Sequence, residues 1–295
     1  MEDNEKKFQW QMNTDAPETY ERYIVPTWMD DWASDLIDAG QVGLKNRVLD
    51  VACGTGIVAR KAAVRVGPGG RIAAVDLTEG MLRVARECAA RDGATGIEWY
   101  QSDVSRMPFS TGEFDTVLCQ QGLQFFPDKV AALREMKRVL TPGGTLALSV
   151  WGRPEKSPHV LVIFDVFSEY FGEDSTTIFR IACSLSNHEM LKNLVQDAGF
   201  SDIQIRSEVK IARHPSLSEL LPAYFSVLPV AAQIAAMPEE ERTRMFRSME
   251  MKLADWRENE GLAVPTENCI LTAKNETRTG ILSREHPQNI TRFKD

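Results

Sequence analysis

The sequence lacks any closely spaced pair of cysteines. Its five cysteines are scattered, and none falls in a Cys-x-x-Cys pattern. Such a set predicts neither a disulfide framework nor a zinc site, and we expect no bound metal. The chain also lacks a run of roughly 18 apolar residues, the length of a membrane-spanning helix, and its opening segment MEDNEKKFQW holds no apolar signal. We therefore expect a cytoplasmic protein without stable membrane insertion.

The sequence also has fewer positively charged residues than negatively charged ones. The 42 Asp and Glu residues outnumber the 34 Lys and Arg residues, and the formal net charge is −8. Because a negative surface repels phosphates, this balance argues against nucleic acid as a partner. Hydrophobic residues make up 43% of the 295 residues, which is enough for a sizeable core in one large domain or two small ones.

Strand and helix patterns alternate from Arg47 to Trp151, with short turns rich in Gly, Pro and Asp. This order is typical of a parallel sheet with right-handed crossovers. The predicted strands are Arg47–Val51, Arg71–Asp76, Ile97–Asp103, Phe114–Gln120 and Thr145–Trp151, and the predicted helices begin at Ile57, Thr78 and Pro127, the last ending at Thr141–Gly144.

The later part of the chain completes an α/β fold with a seven-stranded, mostly parallel sheet. Ser186 and Glu189 have the spacing of a capping box at a helix start, and an alternating strand pattern follows from Ser201. We predict an N-terminal helical cover (1–45), a core (46–214), a helical insertion (215–262) before the last strand (263–275), and a polar tail (276–295). The insertion is either a lid over a ligand or the surface of a homodimer.

The stretch VLDVACGTG, Val48 to Gly56, is the most informative in the chain. It predicts a buried strand that ends at Asp50 and enters a turn made tight by Gly54 and Gly56. A helix pattern begins directly afterwards, so backbone can approach a nucleotide-like ligand closely. A carboxylate beside this turn is a poor neighbour for pyrophosphate and a good one for an ammonium group. The pattern therefore favours a ligand with a positive end.

Three more polar positions follow strand ends. Asp76 closes the second predicted strand, where a carboxylate can accept both hydroxyls of a ribose; Leu77 and Met81 follow it. Asp103 comes after the third strand and can accept from an exocyclic amine. Ligands of open α/β sheets bind at the carboxyl ends of strands, so we expect these groups to face one crevice.

The same residues satisfy the loose dinucleotide fingerprint. Gly54-x-Gly56-x-x-Ala59 is followed by Asp76 some twenty residues on, which predicts binding of a nicotinamide cofactor. Asp50 and Asp103 count against this alternative, because a pyrophosphate avoids fixed anions. An NAD(P)-dependent oxidoreductase nevertheless stays an alternative to the hypothesis below.

The motifs DVACGTG, AVDLTEGML, SDVSRMPF, FDTVLCQQGLQFFPD and LREMKRVLTPGGTLALSVW occur in this order. Their sequence and spacing resemble those of class I S-adenosylmethionine-dependent methyltransferases, in particular the small-molecule branch that includes the ubiquinone/menaquinone C-methyltransferases. Ala52 stands where the family usually has glycine. The resemblance implies a Rossmann-like fold and a site for S-adenosylmethionine. It implies these cofactor-binding residues: Asp50, Ala52, Cys53, Gly54 and Gly56 around the methionine moiety, Asp76 on the ribose, Leu77, Met81, Asp103 and Val104 on the adenine, and Gln120 near the sulfonium.

We therefore expect an enzyme that moves a methyl group to oxygen or carbon of a small, apolar or amphipathic metabolite and leaves S-adenosylhomocysteine. A non-catalytic protein that only binds the cofactor is a further alternative. Tyr20 lies where the family has lid tyrosines, and His159 follows the fifth strand, where the family builds its acceptor pocket. Either is a candidate catalytic residue. The alternatives are that Tyr20 only packs under the lid, and that His159 faces solvent or lines the pocket without a catalytic role.

Overall fold

The computed structural model describes residues 15–276 and has one central sheet of eight strands. The strands are β1 (Arg47–Val51), β2 (Arg71–Asp76), β3 (Ile97–Gln101), β4 (Phe114–Gln120), β5 (Leu140–Trp151), β6 (Ser201–His214), β7 (Arg257–Glu258) and β8 (Gly261–Lys274). The order is β3-β2-β1-β4-β5-β8-β6, with β7 paired to β8. The first five strands are parallel, and β8 runs antiparallel to both neighbours. The prediction of a mostly parallel α/β sheet is confirmed, with β7 as a short addition.

Helices connect and flank the strands. They are α1 (Ala16–Thr19), a π-helix (Tyr20–Met29), α2 (Asp30–Ala39), α3 (Ile57–Val66), α4 (Glu79–Arg91), α5 (Lys129–Val139), α6 (Pro158–Phe171), α7 (Thr177–Ala182), α8 (His188–Asp197), α9 (Leu217–Ser226), α10 (Ala231–Ala235) and α11 (Glu239–Lys252). Within residues 15–276, no helix is both long enough and apolar enough to span a membrane.

The two faces of the sheet carry separate apolar clusters because side chains alternate along each strand. On β1, Leu49 and Val51 join a cluster with α5 and α8, whereas Val48 joins one with α2, α3 and α4. Burial on both faces explains why the sequence of β1 is almost continuously apolar. The exceptions are Arg47, which is only partly buried, and Asp50, which is buried at 1% exposure.

A third apolar cluster lies outside the two faces. It joins the π-helix and α6 to α9 and α11, the helices between β6 and β7. Partly buried Ile57, Phe125 and Trp151 border it. These three residues follow the Gly turn, follow β4 and end β5, so the cluster sits over the carboxyl edge of the sheet.

Several predicted boundaries were wrong. β3 ends at Gln101 rather than Asp103, and α5 covers Lys129–Val139 rather than starting at Pro127. Thr141–Gly144 does not form a terminating turn; it belongs to β5, whose pairing with β4 shifts register there.

The cap of α8 and the last strand also differ from prediction. The N-cap is Asn187, not Ser186, because its amide oxygen accepts from the backbone N–H groups of Glu189 and Met190. β8 begins at Gly261, two residues before the predicted start at residue 263, since it pairs with β6 along nearly the whole length of that strand. The helical segment correspondingly stops short of β7. The predicted tail lies almost entirely outside the described residues.

Candidate active site

The turn after β1 is shaped by backbone that favours glycine. Ala52, Gly54 and Gly56 have φ angles of 55°, 55° and 83°, in the left-handed region. A Cβ on Gly56 would lie 2.6 Å from the Trp99 ring, so this position has no room for a side chain. A Cβ on Gly54 would meet only the Tyr20 ring, at 3.9 Å. The backbone at Gly54 is therefore open to a ligand beneath Tyr20.

Asp76 holds this turn from the end of the neighbouring strand. Its carboxylate accepts from the backbone N–H of Gly54 at 2.8 Å and from that of Thr78 at 2.9 Å. Burial raises the pKa of Asp76, and these N–H groups oppose the rise by stabilising the anion. The side chain lies at the rim of the turn, with lone pairs left for hydroxyl donors.

Asp50 lies deeper, under the turn. One carboxylate oxygen accepts from the Ala59 N–H at 3.0 Å, in the first turn of α3, and Oδ1 has no hydrogen-bond partner among the described residues. Burial, assisted by the nearby Asp76 charge, raises the pKa of Asp50 to about 8. A cation placed near this carboxyl would favour its ionised form. The residues thus fit a ligand that carries an ammonium or sulfonium group.

The four residues predicted to contact the adenine differ in how far they are exposed. Met81 is buried, whereas Leu77 is 67% exposed. Asp103 is exposed and accepts from the Ser105 N–H at 2.8 Å, while Val104 packs partly against the cluster shared with α5 and α8. The Ser102 N–H donates to the Asp76 carbonyl, so the end of β3 is held beside the end of β2.

Gln120 connects the sheet to the N-terminal segment. Its side-chain amide donates to the Met29 carbonyl at 2.9 Å, at the end of the π-helix. With the side chain so engaged, its backbone is the part left to face a ligand. Gly122, just beyond, has its missing Cβ only 2.8 Å from the Ala52 Cβ, so the turns after β1 and β4 are in close contact.

Two cysteines lie near the predicted cofactor positions, and both are poorly suited to nucleophilic chemistry. Cys53 and Cys119 are buried free thiols, and burial raises the pKa of each thiol. The thiolate is the reactive form, so both remain protonated near neutral pH.

The contact that attaches the N-terminal segment to the Gly turn was not predicted. Arg60, 5% exposed, donates to the Gly56 carbonyl, to Glu21 at 2.8 Å and to Asp92 at 2.5 Å. Glu21 follows Tyr20 directly. A single guanidinium therefore joins the π-helix, the Gly turn and the end of α4. Its position on the apolar side of the α3 pattern was the available signal.

His159, the other candidate, lies near the start of α6 in the third cluster. Its ring stacks on Trp28 with centroids 5.6 Å apart, and Trp28 in turn contacts the Tyr224 ring at 5.4 Å. Burial lowers the pKa of His159 to about 4. Trp28 and Tyr224 were not predicted, because they are far apart in sequence and nothing local relates them to His159.

Comparison with known proteins agrees with this geometry. Residues 49–148 match a family described as Methyltransferase domain. The ubiquinone/menaquinone biosynthesis C-methyltransferase UbiE of Ectopseudomonas mendocina (strain ymp) is 34% identical over 184 residues, which are 58% of this chain and 72% of that protein. The protein of the same description from Pseudomonas fluorescens (strain Pf0-1) is 33% identical over 183 residues, with the same shares covered.

Solved structures share the fold. Phosphoethanolamine N-methyltransferase 2 of Haemonchus contortus, in complex with S-adenosyl-L-methionine, matches with a TM-score of 0.58 and 18% identity, over 90% of this chain and 58% of that one. The YcgJ protein of Bacillus subtilis matches with a TM-score of 0.56 and 16% identity, over 83% and 98%. The arrangement of β1, its Gly turn and Asp76, together with the relatives, leads to one conclusion. The chain belongs to the class I S-adenosylmethionine-dependent methyltransferases, and S-adenosylmethionine is its cofactor.

Proposed function

We propose that the enzyme methylates a ring carbon of a small, largely apolar metabolite. The observation that carries this proposal is the third apolar cluster, which lies over the carboxyl edge of the sheet next to the Gly turn. Pockets for small molecules are mostly apolar and aromatic, with a few polar groups that orient the ligand. The relatives described as C-methyltransferases support carbon over oxygen as the methyl acceptor.

The cofactor-binding roles fit the residues present. Asp50 would lie near the positive end of the cofactor, since its Oδ1 lacks a partner among the described residues. Asp76 would accept from the ribose hydroxyls, and the open backbone at Gly54 would approach the methionine moiety. Leu77, Met81, Asp103 and Val104 are proposed for the adenine, and the backbone of Gln120 for the region of the sulfonium.

The cofactor supplies an already activated methyl group when bound. The task of the chain is therefore to align the acceptor with that group, which lowers the barrier by holding the reactants in place, and to exclude water. The π-helix, α6 and the helices α9 and α11 cover the region, and the ion pair of Lys252 with Asp165 joins α11 to α6. We propose that these helices act as the lid over the acceptor.

We also propose that the reaction takes place in the cytoplasm. All five cysteines are free, in line with a reducing compartment.

The test is to incubate the protein with cofactor labelled in its methyl group and a metabolite extract, and to identify the labelled product by mass spectrometry. We expect a methylated small apolar molecule together with S-adenosylhomocysteine. Label found in nucleic acid or protein, or absent from every product while the cofactor binds, would defeat the proposal.

A further inference from the structure

The strand at one end of the sheet, β6, has an open edge. The strand order places β6 beside β8 alone, and no other strand among residues 15–276 pairs with it. The strand is 14 residues long, Ser201–His214. The outward N–H and C=O groups of such a strand lack strand partners and can pair with another chain. A long open edge therefore calls for a search of its side chains for a partner surface.

One face of β6 is an apolar stripe that is exposed over half its length. Ile203 and Ile205 pack partly against the cluster shared with α5 and α8. Val209 and Ile211 follow on the same face, because side chains alternate along a strand, and they are 52% and 42% exposed. Single exposed hydrophobic residues are ordinary, but two adjacent ones on an open edge strand indicate a contact surface.

The other face of β6 carries charge of both signs. Arg206 Nε donates to Glu208 Oε1 at 2.5 Å, and these side chains are 47% and 38% exposed. Lys210, farther along the strand, forms an ion pair with Asp35 and lies over the Trp32 ring. Lys210 is therefore already bound to α2, whereas Arg206 and Glu208 are accessible to a partner strand.

We propose that two copies of this chain associate through β6, with the two strands antiparallel and a twofold axis at Ser207 perpendicular to the sheet. The two sheets then form one continuous sheet. Residues at equal distances before and after the axis lie opposite each other. Val209 faces Ile205 of the partner subunit, and Arg206 faces Glu208 of the partner subunit. Apolar pairs and opposite-charge pairs directly across two strands each stabilise the pairing.

The charges favour this register over its two neighbours. An axis at Arg206 would place the two Arg206 side chains opposite each other. An axis at Glu208 would do the same with the two Glu208 side chains and would also set Arg206 against Lys210. Like charges directly opposite each other are destabilising. The axis at Ser207 avoids both conflicts and makes an Arg–Glu pair on either side of the axis.

Helix α8 extends the contact on the apolar face of β6. Its first residue, His188, lies beside Ser207, with Nε2 2.7 Å from Oγ. The start of α8 is therefore next to the proposed axis, and Met190, in the first turn, is 51% exposed. Stable protein interfaces bury about 1,200–2,000 Å² in total. Because the two α8 starts meet across the axis, they add area to that of the strand pair.

Sedimentation velocity of the full chain tests the association. We expect the wild type to be a dimer at micromolar concentration. Arg206→Glu and Glu208→Arg each put like charges opposite each other on both sides of the axis, so either variant alone should raise the dimer Kd at least about tenfold. Arg83→Glu and Glu87→Arg, at an exposed ion pair on α4, are the matched controls and should leave Kd unchanged.

A mixture of the two β6 variants tests the register. In a mixed dimer every negative side chain of one copy again faces a positive one of the other, so Kd should return to within about threefold of the wild-type value. The rise in Tm on binding S-adenosylhomocysteine shows that each variant is folded and keeps its cofactor site, which lies at the carboxyl edge of the sheet.

Three results would overturn the proposal. A wild type that sediments as anything other than a dimer excludes the interface, whether the edge of β6 is bare or covered by residues 277–295. A dimer that either charge reversal leaves intact uses another surface, such as the helices between β6 and β7. Dissociation of both variants without recovery in the mixture excludes pairing about Ser207.

Discussion

Two carboxyl groups of the site differ because of what surrounds them. Asp76 accepts two backbone N–H groups and lies at the rim, whereas Asp50 accepts one and is buried beneath the turn. Hydrogen bonds to the anion offset desolvation for Asp76 more fully than for Asp50. We therefore expect Asp76 to contribute directional hydrogen bonds, and we expect the ionisation of Asp50 to depend on nearby charges.

Asp76→Ala should weaken binding of S-adenosylhomocysteine by about 1–3 kcal/mol, the scale for leaving polar partners unpaired. The substitution removes an acceptor for hydroxyl groups and also the acceptor for the Gly54 N–H. Isothermal titration calorimetry measures the change. Asp38→Ala, which removes an exposed partner of Arg65, is the control and should leave affinity unchanged. Equal affinity in the two variants would remove Asp76 from the site.

Asp50 should make the stability of the cofactor-free protein fall as pH rises. Its folded pKa, about 8, lies above the ordinary aspartate value of 3.8, so the folded state retains a proton that the unfolded state has lost. The stabilising contribution is complete below about pH 4 and is lost as pH rises through 8. Urea unfolding from pH 5 to 8 should show a decline that Asp50→Asn reduces.

Asp115 provides the contrast for that measurement. Its ion pair with Arg47 lowers its pKa, so its contribution to stability changes only at acid pH. Asp115→Asn should therefore leave the slope between pH 5 and 8 as in the wild type. A slope unaltered by Asp50→Asn would show that Asp50 ionises normally.

The Gly turn is positioned by the elements on either side of it. β1 ends under the turn, α3 begins at Ile57 directly after it, and Trp99 of β3 closes the space beside Gly56. The missing side chain at Gly56 thus lets strand, helix and neighbouring strand approach one another. Gly143, in the bulged start of β5, has a similar φ of 79° but nothing within 4 Å of its missing Cβ.

A comparison of alanine substitutions at Gly143 and Gly56 separates backbone strain from steric conflict. Gly143→Ala should lower the free energy of unfolding by roughly 1–2 kcal/mol, the cost of a left-handed conformation with a Cβ. Gly56→Ala should cost about 1–3 kcal/mol more, because its Cβ would also meet the Trp99 ring. Urea unfolding of both variants gives the difference. Equal losses would mean that β3 can move away at no cost.

The molecule combines a sheet with an apolar cap over its carboxyl edge. The cap is formed by segments far apart in sequence, namely the π-helix, α6 and the helices between β6 and β7. Its attachment to the sheet includes polar contacts that are largely buried, of which Arg60 with Glu21 and Gln120 with Met29 reach the N-terminal segment. Binding of an acceptor under the cap, as proposed above, would depend on this docking.

Glu21→Gln should weaken the docking of the π-helix. The substitution leaves the buried Arg60 guanidinium without one of its two carboxylate partners, and we expect the free energy of unfolding to drop by roughly 1–3 kcal/mol. Glu87→Gln removes an exposed partner of Arg83 and should cost less than about 1 kcal/mol. Chemical denaturation compares the two. A loss no larger than that of Glu87→Gln would show that the contact contributes little.

Local patterns were sufficient for much of the core. β1, β2 and β4 have the predicted bounds, because each is a short apolar run closed by turn residues, and such runs are specified by neighbours in sequence. Strand ends that depend on pairing with another strand were harder to predict from the sequence. β8 extends to Leu262 by pairing with β6 and to Gly261 by pairing with β7, and no local sequence pattern indicates either pairing.

The sequence by itself determined the order of strands and helices, the Gly turn and the acidic residues at strand ends, since these arise from periodicity and backbone chemistry within a few residues. Only the tertiary structure decided that Arg60 joins the cap to the turn, and that Trp28, His159 and Tyr224 surround one cavity. These residues come from separate elements. Their proximity depends on how the helices pack over the sheet, and packing joins residues that have no relation along the chain.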